Sequence, residues 1–203
     1  MTSYLILGLV YGLAAALHPG PFQAFLVSLS LRQGWRKTIP AALAPILSDG
    51  PIIVLVLLVL NQVPVWWIRF LRLAGGGYLL YLAFSAFRVW KRPPGRAEQT
   101  NRAASGVFQA ALVNLLNPNP YIYWSLVTGP ILTAGWREAP PRSLIFLAGF
   151  YAVLVSGSAG ITLLASGMGR FGPRPRRFLA ALSAAALSVL GAYQIILGLT
   201  GNA

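Results

Sequence analysis

The chain has no cysteine, one histidine and only three acidic residues, Asp49, Glu98 and Glu138. Without cysteine there are no disulfides, no thiolate metal sites and no thiol-exchange chemistry. With one imidazole and three acids, a hydrolytic or metal centre has almost no raw material. No metal-ligand cluster, phosphate-binding glycine loop or nucleophile–base pair appears. An enzyme is not expected, nor is a cofactor. Charge as a whole is scarce: 9% of the 203 residues are charged, against about 25% in a soluble domain. The surface of a water-soluble fold cannot be built from so little.

What is present is apolar. Hydrophobic residues make up 57% of the chain and the mean hydropathy is +0.68, more than one globular core can hide. The expectation is a single transmembrane domain, residues 1–203, all-α and embedded in a lipid bilayer. The first apolar segment does not read as a cleaved signal peptide, because it has no basic start and more hydrophobic segments follow it. The net charge of +13 would suit a nucleic-acid partner. Its distribution argues against one, since the Lys and Arg residues fall in short breaks between apolar runs, without interleaved stacking aromatics.

A helix needs roughly 20 apolar residues to cross the hydrocarbon core. Six stretches qualify: 4–31, 39–60, 67–90, 105–134, 144–168 and 178–199. Lys and Arg concentrate on the cytoplasmic side of membrane proteins. Arg32, Arg36 and Lys37 in the first connection, five basic residues around the third and four in the fifth place twelve of sixteen positive charges on one side. The expected topology therefore has both termini outside, with half-repeats at about 1–95 and 103–203 joined by a basic cytoplasmic loop at 91–102. Trp35 and Trp90 on one side, and Trp66, Trp67 and Trp136 on the other, suit interfacial belts.

The first and fourth stretches share a pattern. Each is longer than a span requires and carries two prolines one residue apart, His18-Pro19-Gly20-Pro21 in the first and Asn117-Pro118-Asn119-Pro120 in the fourth. A mid-helix proline removes a backbone donor and clashes with the preceding turn, so both helices should break. At about 1.5 Å per residue, both breaks fall near the middle of a core about 30 Å thick. Patterns three spans apart imply two inverted three-helix repeats. Matched interrupted segments in inverted halves point to a transport site; two ordinary kinks repacked by neighbouring helices are the alternative.

Asp49 is the only carboxylate inside a span, about ten residues into the second, with Gly50 and Pro51 loosening the helix after it. A charge at that depth costs at least about 2.5 kcal/mol on insertion scales, so it is partnered, protonated or functional. His18 occupies the first break at comparable depth. It is either one half of a His18–Asp49 proton relay or a cap on a broken helix. Asn114, Asn117 and Asn119 cluster at the second break, where they coordinate a substrate or ion or cap exposed backbone. Gln23 and Gln109 are further polar groups at such depth. Tyr121, Tyr123 and Trp124 either wall a site for a substrate ammonium through cation–π contact or face lipid. Small residues at Gly8 and Gly12, 75–77, 156–160, and Ala180, Ala184 and Ser188 let helices approach closely, and would equally serve a homodimer.

These residues resemble a known family, the LysE/RhtB-type amino-acid exporters. Pro19-Gly20-Pro21 with Gly34 resembles its opening motif. Ser48-Asp49-Gly50 falls where the family tends to carry a small residue followed by an acid. The stretch from Gly75 to Leu82 is similar to its glycine-tyrosine-leucine segment. Gly106 and Asn114-Leu115-Leu116-Asn117-Pro118 resemble its asparagine-proline motif. The likeness covers roughly the first two thirds of the chain. It implies a small bacterial inner-membrane exporter of two inverted halves, driven by protons or membrane potential and carrying amino acids or similar small zwitterionic metabolites. The broken helices and Asp49 would line the path.

The chain also departs from the pattern. Where many members have a lysine after the asparagine-proline pair, it has Asn119 and then Pro120, and Ala44, Pro45 and Ser48 alter the second helix. Related thiol-reducing transporters are excluded by the absence of cysteine. Two other readings stand beside export of amino acids: an inorganic-cation exporter, for which oxygen ligands suffice, and a non-transporting membrane subunit that scaffolds a partner.

Overall fold

Short apolar runs punctuated by proline and glycine give a chain of helices. In the computed structural model, which describes residues 1–56, 64–91, 103–168 and 173–200, no strand occurs among the described residues. The elements are α1 (Thr2–Leu17), α2 (Pro21–Gln33), α3 (Trp35–Thr38), a 3-10 segment (Ile39–Leu43), α4 (Ala44–Val54), α5 (Val65–Lys91), α6 (Ala103–Leu115), α7 (Pro118–Tyr123), a π-helical stretch (Trp124–Thr128), α8 (Gly129–Glu138), α9 (Pro140–Met168) and α10 (Pro173–Thr200). Residues 57–60 of the second expected span, 92–102 of the expected basic loop, and Arg170 lie outside the described residues.

Among the described residues, two helices are long and apolar enough to cross a membrane, residues 140–167 of α9 and 181–200 of α10. The pair α1 and α2 meets the same criterion only when taken together, as a broken span or a re-entrant loop bent by 63°. That bend is the first expected break, and the interruption after α6 is the second. The prolines, however, do not sit in the gaps as the sequence suggests. Pro21 and Pro118 each open the following helix, and Pro120 lies in the first turn of α7; only Pro19 is in a gap. The physical reason is that N–H groups of a first turn have no partner within the helix, so a proline there sacrifices nothing. Nor does Pro51 end its helix, since α4 runs on to Val54.

Close helix contacts use the small residues. Along α1, Gly8, Gly12 and Ala16 are buried against α9. A Cβ on Gly8 would strike the Phe146 carbonyl and one on Gly12 the Phe150 carbonyl. In the α5–α10 pair, a Cβ on Gly76 would lie 2.8 Å from the Gly191 carbonyl oxygen, and one on Gly191 2.9 Å from that of Gly76. These faces are occupied within the chain, by packing of the kind small residues permit in membranes.

One apolar core, with Phe25, Leu26, Leu79, Leu82 and Leu187, joins α2, α5, α6 and α10. The other, with Ile52, Trp124, Phe146 and Phe150, joins α1, α4, α9 and the π-helical stretch. Large apolar side chains also face outward, among them Ile6, Val10, Leu13 and Leu17 on α1 and Leu164, Val189 and Leu199 on the last two helices. In water such a surface would aggregate; against lipid it is the expected exterior. Between α2 and α3 the chain turns at Gly34, whose φ of 81° suits glycine alone and whose N–H closes α2 on the Ser30 carbonyl at 2.8 Å.

Candidate functional site

The first break leaves the last carbonyls of α1 without helical partners. Gln23, in the first turn of α2, reaches back to them: its Nε2 donates to the carbonyl oxygens of Ala15 at 3.2 Å and Ala16 at 3.4 Å. At the second break Tyr121 does the same for α6, its hydroxyl donating to the Leu115 carbonyl at 3.0 Å. Asn117 caps α7, its Oδ1 accepting from the Asn119 N–H at 3.1 Å.

Asp49 stands between the two breaks on α4 and is 4% exposed. Its Oδ1 accepts from Asn114 Nδ2 at 2.7 Å and its Oδ2 from the Tyr151 hydroxyl at 3.2 Å. The Trp124 indole is a further hydrogen-bonding neighbour. The same Asn114 nitrogen donates to Ser48 Oγ at 2.8 Å, and Ser48 donates in turn to the Ala44 carbonyl at 3.0 Å. Three helices therefore converge on one carboxyl: α4 carries it, α6 supplies Asn114 and α9 supplies Tyr151. The fixed hydrogen bond that the sequence offered as one reading of Asp49 is present. It does not remove the group from function, because Asp49 also lines a cavity.

That cavity has a volume of about 320 Å³, within the range of small-molecule sites. Of the residues singled out in the sequence, His18, Gly20, Gln23 and Asp49 line it from the first half, and Asn114, Asn117, Asn119 and Pro120 from the second. Four others lie elsewhere. Pro19 is exposed. Pro118 is buried. Pro21 borders a small separate void of about 10 Å³ shared with Asn117, Tyr78 and Gln194. Tyr121 is buried with its ring 6.3 Å from that of Trp67. His18 and Asp49 share the cavity, but no hydrogen bond joins them among the described residues. Of the two further aromatics, Tyr123 and Trp124 both line it, with Tyr123 anchored through its hydroxyl to the Tyr11 carbonyl at 3.1 Å.

Sequence reasoning missed Tyr151 and Phe150. Tyr151 is one tyrosine in a long apolar helix, 102 positions from its partner Asp49, and nothing near it in the sequence marks it. Phe150 gives the cavity one face while its backbone receives α1. No group of three or more potential metal-ligating side chains occurs among the described residues.

A helical protein with an apolar exterior and an open cavity at two broken helices has the features of a membrane translocator. The chain matches the family model of the LysE type translocator over residues 13–199, and it belongs to that family. Its members are membrane transporters that export small molecules, rather than enzymes. No curated protein and no solved structure matches the chain.

Proposed function

We propose that this translocator is a secondary transporter that exports amino acids or similar small zwitterionic metabolites across the bacterial inner membrane, coupled to protons or to the membrane potential. The observation that carries the reading is the placement of Asp49, a buried carboxyl on the wall of a cavity bounded by both broken helices. Intramembrane carboxyls are costly and mark substrate and proton pathways. Broken helices at membrane depth are tolerated where they line such a cavity.

The reading takes the chain as one domain of six spans in two inverted halves, with both termini outside. Helix packing supports that arrangement. The first half's broken helix lays α1 on α9, a helix of the second half; reciprocally, α6 of the second half's broken helix packs on α4 and its preceding 3-10 segment. The third spans of the two halves, α5 and α10, pack on each other. This exchange is what a two-fold axis in the membrane plane produces.

The test is flux in proteoliposomes of the purified full-length protein, with an amino-acid panel and an imposed pH gradient, and with Asp49→Asn beside the wild type. Gradient-driven movement of one group of substrates, lost in the folded variant, is the expected result. Undiminished flux in Asp49→Asn would remove Asp49 from the mechanism; no flux from folded wild type would remove the exporter reading.

A further inference from the structure

The cavity's groups differ in the charge they can meet. Asp49 brings one carboxylate, and neither lysine nor arginine occurs among its described lining residues. In broken-helix transporters, free amides at helix N-termini meet a substrate's carboxylate. Here those donors are largely absent or occupied. At α7, Pro118 and Pro120 have no N–H, and the Asn119 N–H between them is taken by Asn117 Oδ1. At α2, Pro21 has no N–H, which leaves the mouth of that helix only the Phe22 and Gln23 backbone amides. Because Gln23 Nε2 is committed to the carbonyls of α1, the oxygen of that amide is left at the mouth of α2, where a Cβ on Gly20 would meet it at 3.5 Å. Asn114 Nδ2 donates to Ser48 Oγ and Asp49 Oδ1.

We infer that the cavity binds an organic monocation through its ammonium, and that a free carboxylate on the substrate weakens binding rather than helping it. The inference rests on the exporter reading and narrows its substrate class, toward amines and toward amino-acid derivatives whose carboxylate is masked as an amide or ester. An ammonium beside Asp49 finds the aromatic rings of Tyr123 and Trp124 on the same wall, within reach of cation–π attraction. Its carbon body finds Phe150 and Leu154. A hard inorganic cation fits less well: it wants six to eight oxygen ligands, and most of this wall is carbon. A carboxylate brought in beside Asp49 meets a like charge with neither lysine nor arginine on the wall to offset it, and His18 alone could oppose it.

Isothermal titration calorimetry on the full-length protein in nanodiscs decides this with four probes that share the isobutyl side chain of leucine. At about pH 6.5, below the amino pKa, they are isopentylamine, L-leucinamide, L-leucine and N-acetyl-L-leucinamide. The two cations should bind at least tenfold tighter than leucine, and the uncharged acetyl amide should not bind. Asn119→Lys adds a cation to the wall and should reverse the order, favouring leucine over leucinamide; it serves as the control that keeps the test independent of any loss of folding in Asp49→Asn. Equal or tighter binding of leucine by wild type, binding of the acetyl amide, or binding of none of the four would overturn the inference. Leucine flux in proteoliposomes with tight leucine binding would sink the inference and leave the exporter standing. Amine binding without flux of any probe would do the reverse.

Discussion

At the first break α1 ends at Leu17, and the carbonyls of Ala15 and Ala16 are met by Gln23 reaching back from α2; at the second, α6 ends at Leu115, whose carbonyl is met by Tyr121 reaching back from α7. Both breaks arise from the same proline pattern, and both repair the orphaned helix end with a side chain from the next helix. They differ in what surrounds the repair. The first is the more open: His18 and Pro19 are exposed, and the Gln23 amide lies along the cavity at hydrogen-bond lengths near the long limit. The second is the more buried: Asn117 and Tyr121 are buried, Pro118 is fully so, and α6 is tied through Asn114 to Asp49, although Asn119 and Pro120 reach the same cavity. A doubled proline therefore makes a gap but not a hinge. The solvation of the freed backbone decides which gap yields, and here the first half holds the pliable one.

The largest expected difference between the halves comes from Asn114→Leu. It keeps the shape and removes the donor shared by Asp49 and Ser48, leaving a buried carboxyl short of a partner. Hydrogen bonds between membrane helices average about 0.6 kcal/mol, but those to a charged group reach about 1.5 to 3 kcal/mol. A loss of about 2 kcal/mol is expected, read as a lower Tm of the purified protein, together with loss of flux. Tyr121→Phe should cost about 1 kcal/mol, because the Leu115 carbonyl then sits bare in a buried site. Gln23→Leu should cost about 0.5 kcal/mol, since water in the cavity can replace its amide. The order is the point. If Gln23→Leu destabilises more than Tyr121→Phe, the first break is not the pliable one.

The membrane character, both breaks and Asp49 were legible in the sequence because each is written locally. Hydropathy needs only a window of twenty residues, and a doubled proline needs four. A lone carboxylate in an apolar run announces itself by its cost. What was not legible is long-range. Tyr151 joins Asp49 from α9 across 102 positions, and no pattern near it says which way its hydroxyl faces. The place of Tyr121 was misleading for the same reason: it follows the second break as a wall residue would, yet its hydroxyl turns back to the end of α6. The glycines on α1 and α5 read equally as internal seams or as a dimer face until Phe146, Phe150 and Gly191 were seen against them. Periodicity fixes a face of a helix, and only packing fixes what the face meets.

His18→Gln should give the smallest effect, and it sharpens the comparison most. A relay between His18 and Asp49 would make the more open break a working part of proton coupling, and replacing the imidazole with an amide would abolish drive by a pH gradient. The geometry favours the other role. His18 ends α1 with extended dihedrals of −64° and 116°, is exposed, and makes no hydrogen bond to Asp49 among the described residues. An amide of similar length keeps a polar group at that point of the cavity wall. Flux should fall less than about threefold, a change of roughly 0.6 kcal/mol in barrier, with its dependence on the pH gradient retained. Loss of that dependence in a variant of unchanged Tm would establish a water-bridged relay and make the pliable break the proton's entry, with the more buried break left as the fixed wall against which it moves.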